Sequence, residues 1–378
     1  MSSRKGPHAS SKQQPQEDVS DSSKHATIGE RAPLHIRIVD ALFAPVNASS
    51  LCTFRVLLGM CLLMQTFKFA DMFELFQESS MVFPYGGLAL FPPVSSTVGH
   101  CMLFLLGLSS VTISLGLFTR LSFIVNFVLF TYLFHICESN HNNHYILFCH
   151  ITFASIFVDY GRTHSLDEEL KTERVWSAIR GKRRSSQQQQ ASSALESPAQ
   201  IQLPTVPYWQ LLFTQVLFCI PYFYGAIAKC NYDWLLRAEP PKTWFSRREP
   251  VYALGIMLPY HYWWYPWFIS WSGTAFDFGI SFLLFYKPTR YLIAFPSALM
   301  FHCMNKMMFN IGVFPIVMMA ALLLFVEPNS LTYMWAVAAR RYSIANVALR
   351  LAYQNHVCYA TGRLVRERAP PERDEEAA

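Results

Sequence analysis

The sequence predicts an all-α polytopic membrane protein, a bundle of about eight transmembrane helices. Three observations carry that expectation. Apolar residues make up 52% of the 378-residue chain and the mean hydropathy is positive, more than a soluble protein of this length needs to fill its core. Runs of about 17 or more residues with almost no charge recur, long enough to cross a hydrocarbon core of about 30 Å as helices. The Lys and Arg residues behind the formal charge of +6 gather between those runs, which is the bias of cytoplasmic loops. No basic DNA-binding motif is present, so no nucleic-acid partner is expected.

Taken in order, residues 1–33 are rich in Ser, Gln, Lys and Gly, have almost nothing to bury, and read as a retained disordered tail. A transmembrane domain then spans 34–327. Its apolar runs are 51–69, 99–118, 121–137, 144–160, 207–228, 273–286, 290–305 and 311–327. The run at 273 is short and is expected to start earlier, inside "YHYWWYPWFISWSG", whose four Trp and three Tyr residues suit an interfacial belt. Residues 328–378 form a basic tail, and 341–358 read as an amphipathic helix on the membrane surface.

Loop charges set the orientation. The N-terminal region carries Arg4, Lys5, Lys12, Lys24, Arg31 and Arg37, whereas Ala70 to Val98 has no Lys or Arg and carries only the charges of Asp71, Glu74 and Glu78. The N-terminus is therefore predicted to be cytoplasmic. The loop 161–206, with "RGKRRSS" and "QQQQ", falls inside, as does the tail, and the sequon at 47–49 stays unmodified. One segment resists this scheme. Residues 229–250 are placed outside yet carry Lys229, Arg237, Lys242, Arg247 and Arg248, so either the topology errs there or those cations are held for a reason.

Nine scattered cysteines, none in a C-x-x-C pair, predict neither a disulfide framework nor a zinc site. His141 and His144 stand at metal-ligand spacing, but the other histidines in or near the spans are single and have no carboxylate at ligand spacing, so no metal is expected. Three polar groups fall on one side of the membrane: "ESNHNNH" at 138–144, "GAIAKCNYDW" at 225–234 and "FHCMN" at 301–305. Alone, each has a plain reading, since Asn caps helices and a Lys after an apolar run snorkels. Together they outline the rim of one pocket.

The residues "NNHYILFCH", "AKCNYDW" and "FHCMNKMMFNIGVFPIVMMA" resemble the vitamin K-dependent gamma-glutamyl carboxylases and the HTTM membrane domain to which these belong. "FRVLLGM" at 54–60, "SLD" at 165–167 and "WSGTAFDFGISFLLFY" at 271–286 agree more loosely, and the resemblance runs from Leu51 to Glu327. It implies an enzyme of the endoplasmic reticulum membrane that converts reduced vitamin K to its epoxide with oxygen. The base so released takes a proton from a peptide glutamate, which captures carbon dioxide. The implied partners are membrane lipid, a lipid quinone and glutamate-containing secretory proteins. Lys229 matches the catalytic lysine of the K-x-x-x-D-W pattern, and burial beside Tyr232, Trp234 and Trp244 would leave part of it as neutral amine. His144 is the histidine of N-N-H. Asn142 and Asn143 would supply neutral donors, His302 and Asn305 the opposite wall, and Asp233 would hold the Lys229 loop.

The resemblance also implies a difference. The carboxylases continue beyond the point matching Glu327 into a further membrane helix and a large luminal domain that docks substrate, whereas this sequence runs through its basic stretch to "RDEEAA". The alternative reading is therefore a non-carboxylating HTTM protein, handling a lipid quinone or serving as a membrane partner.

Overall fold

The computed structural model describes residues 33–79, 82–83, 85, 91–171, 204–246, 252–253, 256–257, 262–309 and 311–341. The expected tail, the "RGKRRSS" and "QQQQ" stretches and the expected helix beyond Arg341 lie outside these residues.

The described residues build a helical bundle whose two halves are tied by a small two-stranded ribbon. Helix α1, Leu34–Phe43, leads into strand β1, Pro45–Asn47. Then come α2, Ser49–Ser79; α3, Ser96–Leu115; α4, Thr119–His135; and α5, Asn143–Ser155. Strand β2, Thr205–Pro207, opens the second half and pairs antiparallel with β1, Val46 opposite Val206. It is followed by α6, Tyr208–Lys229; the short helices α7, Tyr232–Leu235, and α8, Pro241–Ser246; and α9, Tyr265–Phe285. Last are α10, Phe295–Met308; α11, Phe314–Ala321; and α12, Pro328–Arg341.

Every predicted apolar run is helical, and α9 starts in the aromatic stretch as expected, but the count of about eight crossings is not confirmed among the described residues. Four helices among the described residues are long and apolar enough to span a membrane: Ser49–Leu75, Ser96–Leu115, Tyr208–Lys229 and Tyr265–Phe285. The pair Phe314–Phe325 and Pro328–Arg341, bent by 106° at the break, would make a fifth. The physical reason is length. Helix α5 has 13 residues, which at about 1.5 Å each falls well short of a core of about 30 Å. The run at 290 is divided by a π-helical turn, Arg290–Ala294, before α10 begins. Helix α2 instead runs ten residues past its predicted end, because nothing in "DMFELFQES" breaks a helix.

Lipid is as apolar as Leu, so packing and polar clasps, not hydrophobicity, decide which helices meet. Fully buried Phe54, Phe123, Phe130, Phe134, Phe148 and Phe218 fill the interior, Phe54 meeting Phe218 edge-on at 5.1 Å. Buried Asn126 of α4 donates to Ser109 Oγ at 2.9 Å and Ser110 Oγ at 3.0 Å of α3.

At the ribbon end of the bundle sits Arg55, fully buried, which donates to the carbonyls of Ile113 at 3.0 Å and His164. Beside it Gly116 ends α3 with φ +69°, and a Cβ there would lie 1.9 Å from the Arg55 guanidinium, so both backbone and space demand glycine. Asp167 completes this end by accepting from the Phe118 and Thr119 N–H groups at 2.7 and 2.9 Å, which caps α4. Trp335 of α12 stacks on His164 and donates to Thr53 Oγ1 at 2.8 Å. The segments predicted to be cytoplasmic thus share one end, as far as they are described.

Candidate functional site

The opposite end is organised around Lys229, the last residue of α6. Its Nζ donates to Asp277 Oδ2 on α9 and lies 5.5 Å from the centre of the Trp234 ring. Asp277 is nearly sealed, its side chain 5% exposed against 22% for Lys229. Inside a membrane-spanning helix an ionised carboxylate is strongly unfavourable unless paired, so the pair neutralises two groups that neither helix tolerates alone. Room for it comes from Gly225, one turn before Lys229, where a Cβ would approach Asp277 Oδ2 to 2.8 Å.

Trp234 is placed by its own bonds. Asn231 caps α7 by accepting from the Trp234 N–H at 2.8 Å, and the indole N–H reaches Ser270 O at 2.9 Å and Thr274 Oγ1 at 3.1 Å on α9. Trp234 then meets Trp244 of α8 edge-on at 5.9 Å, and Trp244 meets Phe309 at 5.1 Å. The belt tryptophans take part as well. Trp271 and Trp267 donate to the carbonyls of Leu235 and Leu236 at 2.7 and 3.2 Å, closing the C-terminal end of α7.

His302 of α10 is fully buried. Its Nε2 hydrogen-bonds the Tyr222 hydroxyl at 2.6 Å, while its Nδ1 has no partner among the described residues. Tyr222 lies on the same face of α6 as Gly225, Ala226 and Lys229. Phe314 joins the two histidines of the site: His144 stacks on it at 4.1 Å and 17°, and His302 meets it at 6.1 Å near the perpendicular. Phe276 and Phe301 stack at 4.1 Å beside Tyr222 and His302.

Among the sequence-predicted residues, Lys229, Trp234, His144 and His302 therefore fall within one connected region of α5–α7 and α9–α11. Others have different places. Asn142 caps α5, its Oδ1 accepting from the His144 N–H at 2.8 Å; Asn143 is exposed; and Asn305 lies near the end of α10, its carbonyl accepting from the Phe309 N–H at 2.9 Å. Tyr232 is 66% exposed and does not cover Lys229. Asp233 faces solvent and pairs with Arg237 at 3.4 Å, while its carbonyl accepts from the Glu239 N–H, so it braces the loop without touching the lysine. The described cations of 229–250 are all engaged: Lys229 by Asp277, Arg237 by Asp233, and Lys242 on the Trp267 ring at 3.9 Å. Arg247 and Arg248 lie outside the described residues. No cluster of three or more metal-ligating side chains occurs among the described residues.

Sequence reasoning missed Asp277 and Tyr222. A signal for Asp277 existed, since a single carboxylate in an apolar span is functional by default. A tyrosine in an apolar run carries no such signal.

No solved structure matches this chain. The HTTM domain, the membrane domain of the gamma-carboxylase family, matches residues 43–179 and 186–330 and so takes in both halves of the bundle and every helix that builds this site. The chain belongs to the HTTM domain family.

Proposed function

We propose that this protein is a carboxylase-like HTTM enzyme of the endoplasmic reticulum membrane, coupling epoxidation of reduced vitamin K to carboxylation of peptide glutamate. The observation that carries this reading is the Lys229 amine. It closes α6 within the "AKCNYDW" segment that resembles the carboxylases' K-x-x-x-D-W pattern, fixed by Asp277 and Trp234 and only partly exposed. A planar aromatic diol suits the surroundings, because the buried His302 Nδ1 has no partner among the described residues and the nearby walls are rings, Phe314, Phe276 and Phe301. When bound with oxygen, reduced vitamin K supplies the strong base that no protein side chain provides.

The chain's own residues would then act as follows. Lys229 takes up a proton from an acidic hydroxyl at the outer end of α6. His144, its ring fixed against Phe314 and its helix capped by Asn142, offers a ring nitrogen for orientation. Trp234 and Trp244 limit water access from the loop side, which preserves a reactive base. Lipid quinone would arrive through the membrane, and glutamate-containing secretory proteins from the end bearing α7 and α8. Carbon dioxide is the co-substrate.

The test uses membranes containing the chain, supplied with reduced vitamin K, oxygen, bicarbonate and a glutamate peptide, with Lys229→Ala alongside. Epoxide that depends on Lys229 is the expected result. The Lys229–Asp277 pair also favours a second reading, because an ion pair between α6 and α9 serves equally as a latch. A folded, inserted protein that makes no epoxide supports that reading: an HTTM protein with another lipid-quinone or partner role.

A further inference from the structure

The proposed chemistry needs a neutral amine, yet Lys229 is ion-paired with a carboxylate. Burial alone cannot remove that tension. We infer, on the reading just given, that Asp277 is the positioning residue of Lys229 and the acceptor to which the ammonium passes its proton when the amine is required. It is also the residue that aims the amine across the Trp234 face.

Three observations support this. Among the described residues Lys229 is the single side chain hydrogen-bonded to Asp277, so the carboxylate serves nothing else. Asp277 is the more deeply buried of the two, and the amine is the half that reaches the open side, which suits an acceptor behind a reacting group. The site keeps space for the pair: at Gly225 a side chain would stand 2.8 Å from Asp277 Oδ2 and 3.5 Å from Lys229 Nζ.

The step balances within the pair. One N–H bond of the ammonium breaks, one O–H bond forms on Oδ2, and nothing is oxidised or reduced. The net charge is zero before and after. In an apolar surround, charging either group alone is strongly unfavourable, but exchanging a zwitterion for a neutral pair releases no charge. The amine so formed takes the substrate proton, and the pair returns it to water at the exposed side of Lys229.

Amine accessibility tests this without relying on activity. The full chain in lipid nanodiscs is treated at fixed neutral pH with a trinitrobenzenesulfonate-type amine reagent, and the Lys229 peptide is followed by mass spectrometry. Asp277→Asn removes the charge that holds the ammonium and should label at least roughly fivefold faster than the parent chain. Asp277→Glu should stay slow, and Gly225→Ala, which displaces the carboxylate, should fall between. In the epoxide assay Asp277→Asn should lose about tenfold or more, with recovery in Asp277→Glu. Equal labelling across the parent chain, Asp277→Asn and Gly225→Ala overturns the inference. If Asp277→Asn does not insert, unchanged labelling in Gly225→Ala overturns it by itself. Faster labelling in a protein that makes no epoxide keeps the coupling of Lys229 to Asp277 and removes the carboxylase reading instead.

Discussion

Two interior cations stand at opposite ends of the bundle, and their surroundings differ in kind. Arg55 is fully buried and bonds to backbone carbonyls, one of them Ile113 O at the negative C-terminal end of α3. Lys229 is partly exposed and bonds to one carboxylate, that of Asp277. A guanidinium stays charged at any ordinary pH and its fork suits several fixed acceptors, whereas an ammonium is a point charge that can be lost. The arginine end is a staple between α2, α3 and the loop at 164. The lysine end is built to change state.

The largest effect expected from breaking this contrast is at the staple. Arg55→Met leaves two carbonyls without their donor in a sealed site and should destabilise the protein by about 3–5 kcal/mol, read as thermal unfolding in detergent. A melting curve like that of the parent chain would refute the staple. Lys229→Ala should act on chemistry instead. We expect epoxide formation to fall more than about 100-fold, with stability changed by no more than about 1 kcal/mol because the abandoned Asp277 can take up a proton.

Asp167 sharpens the arginine side. Burial alone would push its carboxyl up, but the hydrogen bonds from Thr119 and Phe118, with help from Lys171, outweigh it and hold the carboxyl below the usual carboxylate range. A depressed folded-state value means that the stabilisation is present above the unfolded value and fades as pH falls through the folded one. Asp167→Asn should cost about 1–2 kcal/mol near neutral pH and flatten the acid limb of a stability-against-pH curve. The smallest effect belongs to Tyr222→Phe on the lysine side. It leaves His302 with neither ring nitrogen bonded, for about 1 kcal/mol, and a thermal shift of the opposite sign would show that the dyad is strained.

Much of this contrast was readable before folding, but unevenly. "FRVLLGM" and "SLD" stand out as motifs, yet nothing local says that Arg55 and Asp167 close on one turn around Gly116, since 112 positions separate them. Asn142 reads equally well as pocket wall or helix cap, and the structure shows its Oδ1 capping α5. The count of about eight helices is not confirmed among the described residues, because hydropathy counts apolar residues and is blind to a π turn or a short helix.

The sequence by itself determined the helical membrane character of the chain, the polar groups at its helix ends, the family, and Lys229, His144, Trp234 and His302 as residues to watch. Those properties are local: composition, periodicity and short motifs survive without any contact. Only the tertiary structure decided that Lys229 answers to Asp277, that His302 answers to Tyr222, and which of the described helices are long enough to cross. Each of these depends on which helix faces meet, and in an apolar medium that choice is made by packing and polar pairing across many positions.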